Sequence, residues 1–124
     1  MTKLDMNKDP HKEFNEYYEA HKNEEFLDAD GYPTDVALKL IEMWRWDQPY
    51  EWFDFIKNIW DSYDSGWRTY SMPHGTSIAI STRGWSGNES IIEAMQRNFM
   101  LWGLTWVISS RGGHYDFEII DEEE

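Results

Sequence analysis

Two short stretches of this chain gather polar groups out of proportion to their length. One is Ser81-Thr82-Arg83-Gly84-Trp85-Ser86-Gly87-Asn88-Glu89-Ser90, and the other is Ser109-Ser110-Arg111-Gly112-Gly113-His114-Tyr115. Arginine in a glycine-rich loop suits a phosphate or carboxylate, because its planar fork donates two parallel hydrogen bonds to such groups. Ser86-Gly87-Asn88-Glu89 fits a capping box, with Ser86 as N-cap and Glu89 reaching back from the third helical position. A glycine loop followed by a helix start offers free backbone N–H groups and the positive end of a helix dipole. The candidate ligand-binding set is therefore Arg83, Trp85, Ser86, Gly87, Asn88, Glu89, Arg111, Gly112, Gly113 and His114. The competing reading makes both stretches well-built turns, with each arginine paired to a neighbouring acid such as Glu89 or Asp116. His114 and Glu89 also form a candidate acid–base pair, although nothing in their spacing requires one.

Other chemistry finds little support. His11, His21, His74 and His114 have no metal-ligand spacing, so neither a metal nor a cofactor is expected. The glycine spacing matches no dinucleotide fingerprint or P-loop, and Gly84-Trp85-Ser86-Gly87 lacks the pattern of a nucleophile elbow. Without cysteine there is no disulfide framework and no thiolate site.

The elements that must hold the two loops can be read from periodicity. Thr76–Ile80 alternates as a strand ahead of the first loop, and a helix is expected through Asn98 after it. Phe99 to Ser109 is apolar on both alternating faces and predicts a strand at the centre of the sheet. Arg111-Gly112-Gly113 predicts a hairpin turn returning as His114–Ile120. If the strands ending near Ile80 and Ser109 run parallel, both loops emerge at one end of the sheet. Arg83, Arg111 and His114 then surround one point.

Upstream, Thr34 reads as the N-cap of a helix carrying Val36, Ala37, Leu40, Ile41 and Trp44. Asp47-Gln48-Pro49 breaks it, and the proline opens a second helix. There Trp52, Ile56, Ile59, Trp60 and Tyr63 form one apolar face, and the short break predicts an antiparallel helix pair. The fold class expected is α+β: a small four-stranded antiparallel or mixed sheet, with two or three helices packed on one face. Residues 1–31 read as an acidic arm or a peripheral helix, 32–120 as a single domain, and 121–124 as an acidic tail.

The 124 residues carry a formal net charge of −13 and 17% aromatic side chains, eight of them tryptophan. That charge argues against gripping nucleic acid through its phosphates. It favours instead a partner with a basic surface, met by an acidic patch of Glu51, Asp54, Asp61 and Asp64. No signal segment or long apolar run is evident, so no membrane contact and a cytoplasmic location are expected.

The motifs Ser81-Thr82-Arg83-Gly84-Trp85-Ser86-Gly87-Asn88-Glu89 and Ser110-Arg111-Gly112-Gly113-His114-Tyr115-x-Phe117-Glu118, with Trp102 and Trp106 between them, resemble a family of small phage and prophage proteins. The likeness runs from about Tyr32 to Ile120, and Arg83 departs from it where a glycine is expected. It implies a phage origin and brings no established chemistry. Phage origin and acidic charge together suggest an inhibitor of a host defence nuclease, acting in the host cytoplasm by acidic-surface binding or nucleic-acid mimicry. The alternatives are a protein sequestering a nucleotide-like ligand, a small enzyme using Glu89 and His114, and a virion assembly role marked by exposed tryptophans.

Overall fold

The structure is a computed structural model that describes residues 9–61 and 66–121. Among these residues it contains five helices and four strands. In chain order they are α1 (Lys12–His21), α2 (Asp35–Met43), α3 (Pro49–Ile59), β1 (Trp67–Met72), β2 (Gly75–Ser81), α4 (Ser86–Arg97), α5 (Phe99–Thr105), β3 (Trp106–Ser110) and β4 (His114–Ile120). The fold is α+β, with every strand pair antiparallel and the sheet ordered β1-β2-β4-β3.

Strand alternation divides the sheet into two unlike faces. Trp67, Ile80 and Tyr115 share one cross-strand row, and Ile78 pairs with Phe117 in the next row on the same face. That face meets the helices, where Phe53 lies 5.1 Å from Phe117 and Trp60 5.7 Å from Trp67, ring centre to ring centre. Behind them pack Leu40 and Ile41 of α2, Trp52 and Ile56 of α3, and Ile91 and Met95 of α4, all fully buried. On the other face Arg68, Ala79 and Asp116 form a row, followed by Ser81 and His114.

Local sequence accounts for most helix boundaries. Thr34 caps α2 by accepting from the Ala37 N–H at 3.3 Å, and Pro49 occupies the first turn of α3. The buried stripe of α3 is Trp52, Phe53, Ile56 and Ile59, with Trp60 following; Tyr63, expected on that face, lies outside the described residues. The expected α2–α3 pair meets through side chains rather than by close backbone approach. The closest helix neighbours of α2 are α4 and α1, and α3 reaches it through side chains. Trp52 Nε1–H donates to the Ile41 carbonyl at 3.0 Å, and the Trp44 and Phe55 rings meet at 5.1 Å. Near the N-terminus, α1 buries Phe14 against Trp44 at 4.7 Å.

The largest departure from expectation is the stretch from Phe99 to Ser109. It is not one central strand. Phe99–Thr105 is helix, and Trp106–Ser110 forms β3 at the edge of the sheet. A run apolar at nearly every position satisfies the helical and the strand period alike. A cap decides between them. Asn98 Oδ1 accepts from the Leu101 N–H at 3.1 Å, while its amide donates to the Ile41 carbonyl at 3.1 Å and the Trp44 carbonyl at 3.0 Å. These bonds start a helical turn and fasten it to the end of α2.

Candidate functional site

β2 and β3 each run antiparallel to β4, so they point the same way. The loop leaving β2 and the β3–β4 turn therefore lie at one end of the sheet. They touch: the Thr82 N–H donates to the Gly113 carbonyl at 3.0 Å. A Cβ added to Gly113 would sit 2.2 Å from Thr82 Oγ1, and Gly113 has φ +78°. Close approach and backbone conformation thus both demand glycine there.

Inside the first loop the backbone donors are already occupied. The Arg83 N–H donates to Ser81 Oγ at 3.3 Å, the Gly84 N–H to Thr82 Oγ1 at 3.3 Å, and the Trp85 N–H to the Thr82 carbonyl at 3.1 Å. Asn88, fully buried, donates to the Thr82 and Asp61 carbonyls at 3.3 and 3.2 Å and accepts from the Asp61 N–H at 3.0 Å. The expected capping box is absent. α4 begins one residue earlier, with Trp85 as N-cap and no side-chain cap, because the Glu89 N–H already bonds the Trp85 carbonyl at 3.1 Å. Ser86 Oγ donates instead to the Tyr32 hydroxyl at 3.3 Å. The Trp85 indole lies over Gly87, where a Cβ would come within 2.2 Å of the ring, and it packs on Tyr32 at 4.8 Å. Trp85, Ser86, Gly87 and Asn88 therefore build the loop, and the Trp85 ring covers the helix start where the backbone cradle is expected.

What remains open is a cluster of side chains on the outer face of the sheet. Arg68, Arg83 and His114 line a notch of about 290 Å³, together with Ser81, Asp116 and the backbone around Gly66 and Ala79. Arg83 has φ +56°, beside Gly84 at +74°. Its aliphatic stem runs past Gly66, 3.5 Å from where a Cβ would stand. A non-glycine residue in this region costs about 1–2 kcal/mol, so the backbone here is strained. Arg45 pairs with Asp47 at 2.8 Å and Arg97 with Glu42 at 3.7 Å, whereas Arg111 at the β3–β4 turn has no ion pair among the described residues. Among the described residues neither Arg68 nor Arg83 has a carboxylate within 4.0 Å, although Asp116 lines the same notch.

The notch differs in membership from the one expected. Arg83 and His114 meet in it, and Arg68 replaces Arg111. Arg111 and Gly112 sit exposed at the hairpin tip, with the His114 ring 3.5 Å from a Cβ on Gly112. Sequence reasoning missed Arg68 because only the strand register sets it beside Ala79 and Asp116. Glu89 lines a separate hollow with Thr82, Gly113 and Tyr115. Tyr115 follows His114 on the strand and so points to the opposite face. The acid–base pair of Glu89 and His114 therefore does not assemble.

Three residues of the expected acidic patch lie among the described ones. Glu51 and Asp54 are exposed on α3 and rim a cleft of about 410 Å³ floored by Phe14, Tyr18, Trp44 and Phe55. Asp61 is exposed just beyond α3, with its backbone held by Asn88; Asp64 lies outside the described residues. Among the described residues no three acids, histidines or cysteines gather as metal ligands would, and no helix is long and apolar enough to cross a membrane. Comparison with known protein families, curated proteins and solved structures gives no match.

Proposed function

We propose that this chain is a binding protein for a small ligand carrying a phosphate or carboxylate, held by Arg68, Arg83 and His114. The observation that carries this reading is that two arginines line one notch, without carboxylates within ion-pair distance among the described residues, in a chain of net charge −13. Most of such a surface repels an anion, so a notch lined by two arginines selects one spot for it. The strained backbone of Arg83 supports the same reading. A glycine would relieve the strain and lose only the side chain.

That contrast supplies the test. Arg83→Gly removes about 1–2 kcal/mol of strain, while the added glycine costs about 0.5–1 kcal/mol in chain entropy. The fold should keep its stability to within about 1 kcal/mol by these same terms. A charge-assisted bond contributes about 1.5–3 kcal/mol, so affinity should fall by roughly tenfold to a hundredfold. Thermal shift and calorimetry with inorganic phosphate and a nucleotide panel read both effects. A flat response of the wild-type protein across that panel overturns the proposal.

A second reading has its own observation. Glu51 and Asp54 stand exposed on α3, next to an aromatic cleft suited to the stem of a lysine or arginine. On this reading the chain is a phage-encoded inhibitor in the host cytoplasm, docking acid-first on a basic protein such as a defence nuclease. Its complex weakens with salt and with Glu51→Gln plus Asp54→Asn. Undiminished binding by that double variant rejects it.

A further inference from the structure

One residue of the notch does not suit a bare anion. Asp116 lines it together with Arg68, Arg83, His114 and Ser81. The strand register sets where each stands. Arg68 on β1, Ala79 on β2 and Asp116 on β4 form one row, and Ser81 and His114 lie side by side in the next. The stem of Arg83 passes Gly66, which leads into β1. Both arginines therefore stand on the β1 side and the acid on β4, two strand spacings or roughly 10 Å of backbone apart. Between them β2 presents only the small side chains of Ala79 and Ser81. Among the described residues the Asp116 carboxylate has no ion-pair partner within 4.0 Å.

We infer that the ligand is a small zwitterion, whose phosphate or carboxylate meets Arg68 and Arg83 and whose ammonium meets Asp116. This rests on the anion-binding reading above and adds a second charge to it. An anion alone is repelled by Asp116 as it approaches the guanidinium groups, and it leaves that carboxylate unpaired. An ammonium joined to the anion by a short chain makes the same acid attractive, so Asp116 separates the two kinds of ligand. The charge of the whole chain acts in the same direction. A body bearing −13 repels a net anion at long range, whereas a zwitterion reaches the notch without that opposition. A hollow of about 290 Å³ over so small a floor admits a ligand of amino-acid size.

Calorimetry with matched pairs tests it. Ethanolamine phosphate is set against propyl phosphate, which carries a methyl where the first has its ammonium. The pair 4-aminobutyrate and pentanoate makes the same comparison for a carboxylate, and the tighter pair names the anion. The wild-type protein should prefer the zwitterion of that pair by about tenfold, the size of one charge-assisted hydrogen bond. Asp116→Asn should erase the preference, weakening the zwitterion and strengthening the plain anion. Arg83→Gly should weaken both members alike. Asp116 is exposed, so its variant should keep the far-ultraviolet circular dichroism spectrum of the wild type; should it misfold, the wild-type ratio alone decides. Equal affinity for both members of each pair overturns the inference and leaves the anion-binding reading standing. A preference that survives Asp116→Asn overturns it as well. Binding of none of the four overturns both.

Discussion

Gly112 and Gly113 stand next to one another at φ +87° and +78°, yet they are not equivalent. A Cβ on Gly112 meets only the His114 ring at 3.5 Å, whereas one on Gly113 meets Thr82 Oγ1 at 2.2 Å. Gly112→Ala should therefore cost about 1–2 kcal/mol from backbone strain alone. Gly113→Ala should cost more, because Thr82 is buried and its hydroxyl is held by the Gly84 N–H at 3.3 Å. Urea denaturation of the two variants reads the difference, and equal losses would mean the loops do not touch. At this scale sequence is informative where partners are near. Thr34 as a cap, Pro49 as a helix start and Gly112 as a turn residue all act within four residues. Asn88 is different. Its partners at Asp61 lie 27 positions away, and nothing local distinguishes it from a polar residue in a helix start.

At the scale of elements, α5 shows what periodicity cannot decide. Its run from Phe99 to Thr105 satisfies either period, and the deciding bonds come from Asn98 to α2 and its C-cap, 57 and 54 residues upstream. Gly103 gives a direct check. It is helical and exposed, with nothing within 4 Å of where a Cβ would stand. Gly103→Ala should raise stability by about 0.5–1 kcal/mol, the usual gain in an exposed helix interior. A loss measured by thermal denaturation would favour a strand there instead. The notch is legible in the sequence only in outline, for a related reason. The shared direction of β2 and β3 follows from the hairpin and one strand pairing, so the meeting of Arg83 with His114 can be read ahead of the fold. Arg68 depends on the register of β1, which turn lengths and alternation leave open.

The molecule as a whole is an acidic body, and one ion pair closes its N-terminal side. Arg45 donates to Asp47 at 2.8 and 2.9 Å and to Asn15 of α1 at 3.1 Å. The hydrogen bond from Arg45, ahead of its charge, holds the Asp47 carboxyl below the usual carboxylate range. A depressed carboxylate contributes stability above its unfolded value and loses it as pH falls through the folded one. Acidification below the ordinary range should therefore loosen α1. Asp47→Asn should lower stability at neutral pH and flatten that acidic limb. An unchanged pH profile by circular dichroism would show that the pair contributes nothing. The charge itself, −13 on 124 residues, is plain from composition, and so is the uncharged run from Asn98 to Ser110, whereas the exposure of its apolar side chains on α5 and β3 emerges only when the chain is folded.

Trp85 is half-buried, caught between Tyr32 and Gly87, two residues after Arg83. On the proposed reading, in which the notch takes an anion, an indole this close in the chain to Arg83 would serve as a built-in optical reporter of that binding. An anion drawn onto the neighbouring guanidinium alters the local field and thus the emission wavelength, whereas Trp52, sealed in the core, stays constant. Subtracting the spectrum of Trp85→Phe would isolate that signal from the other seven indoles without attaching any dye.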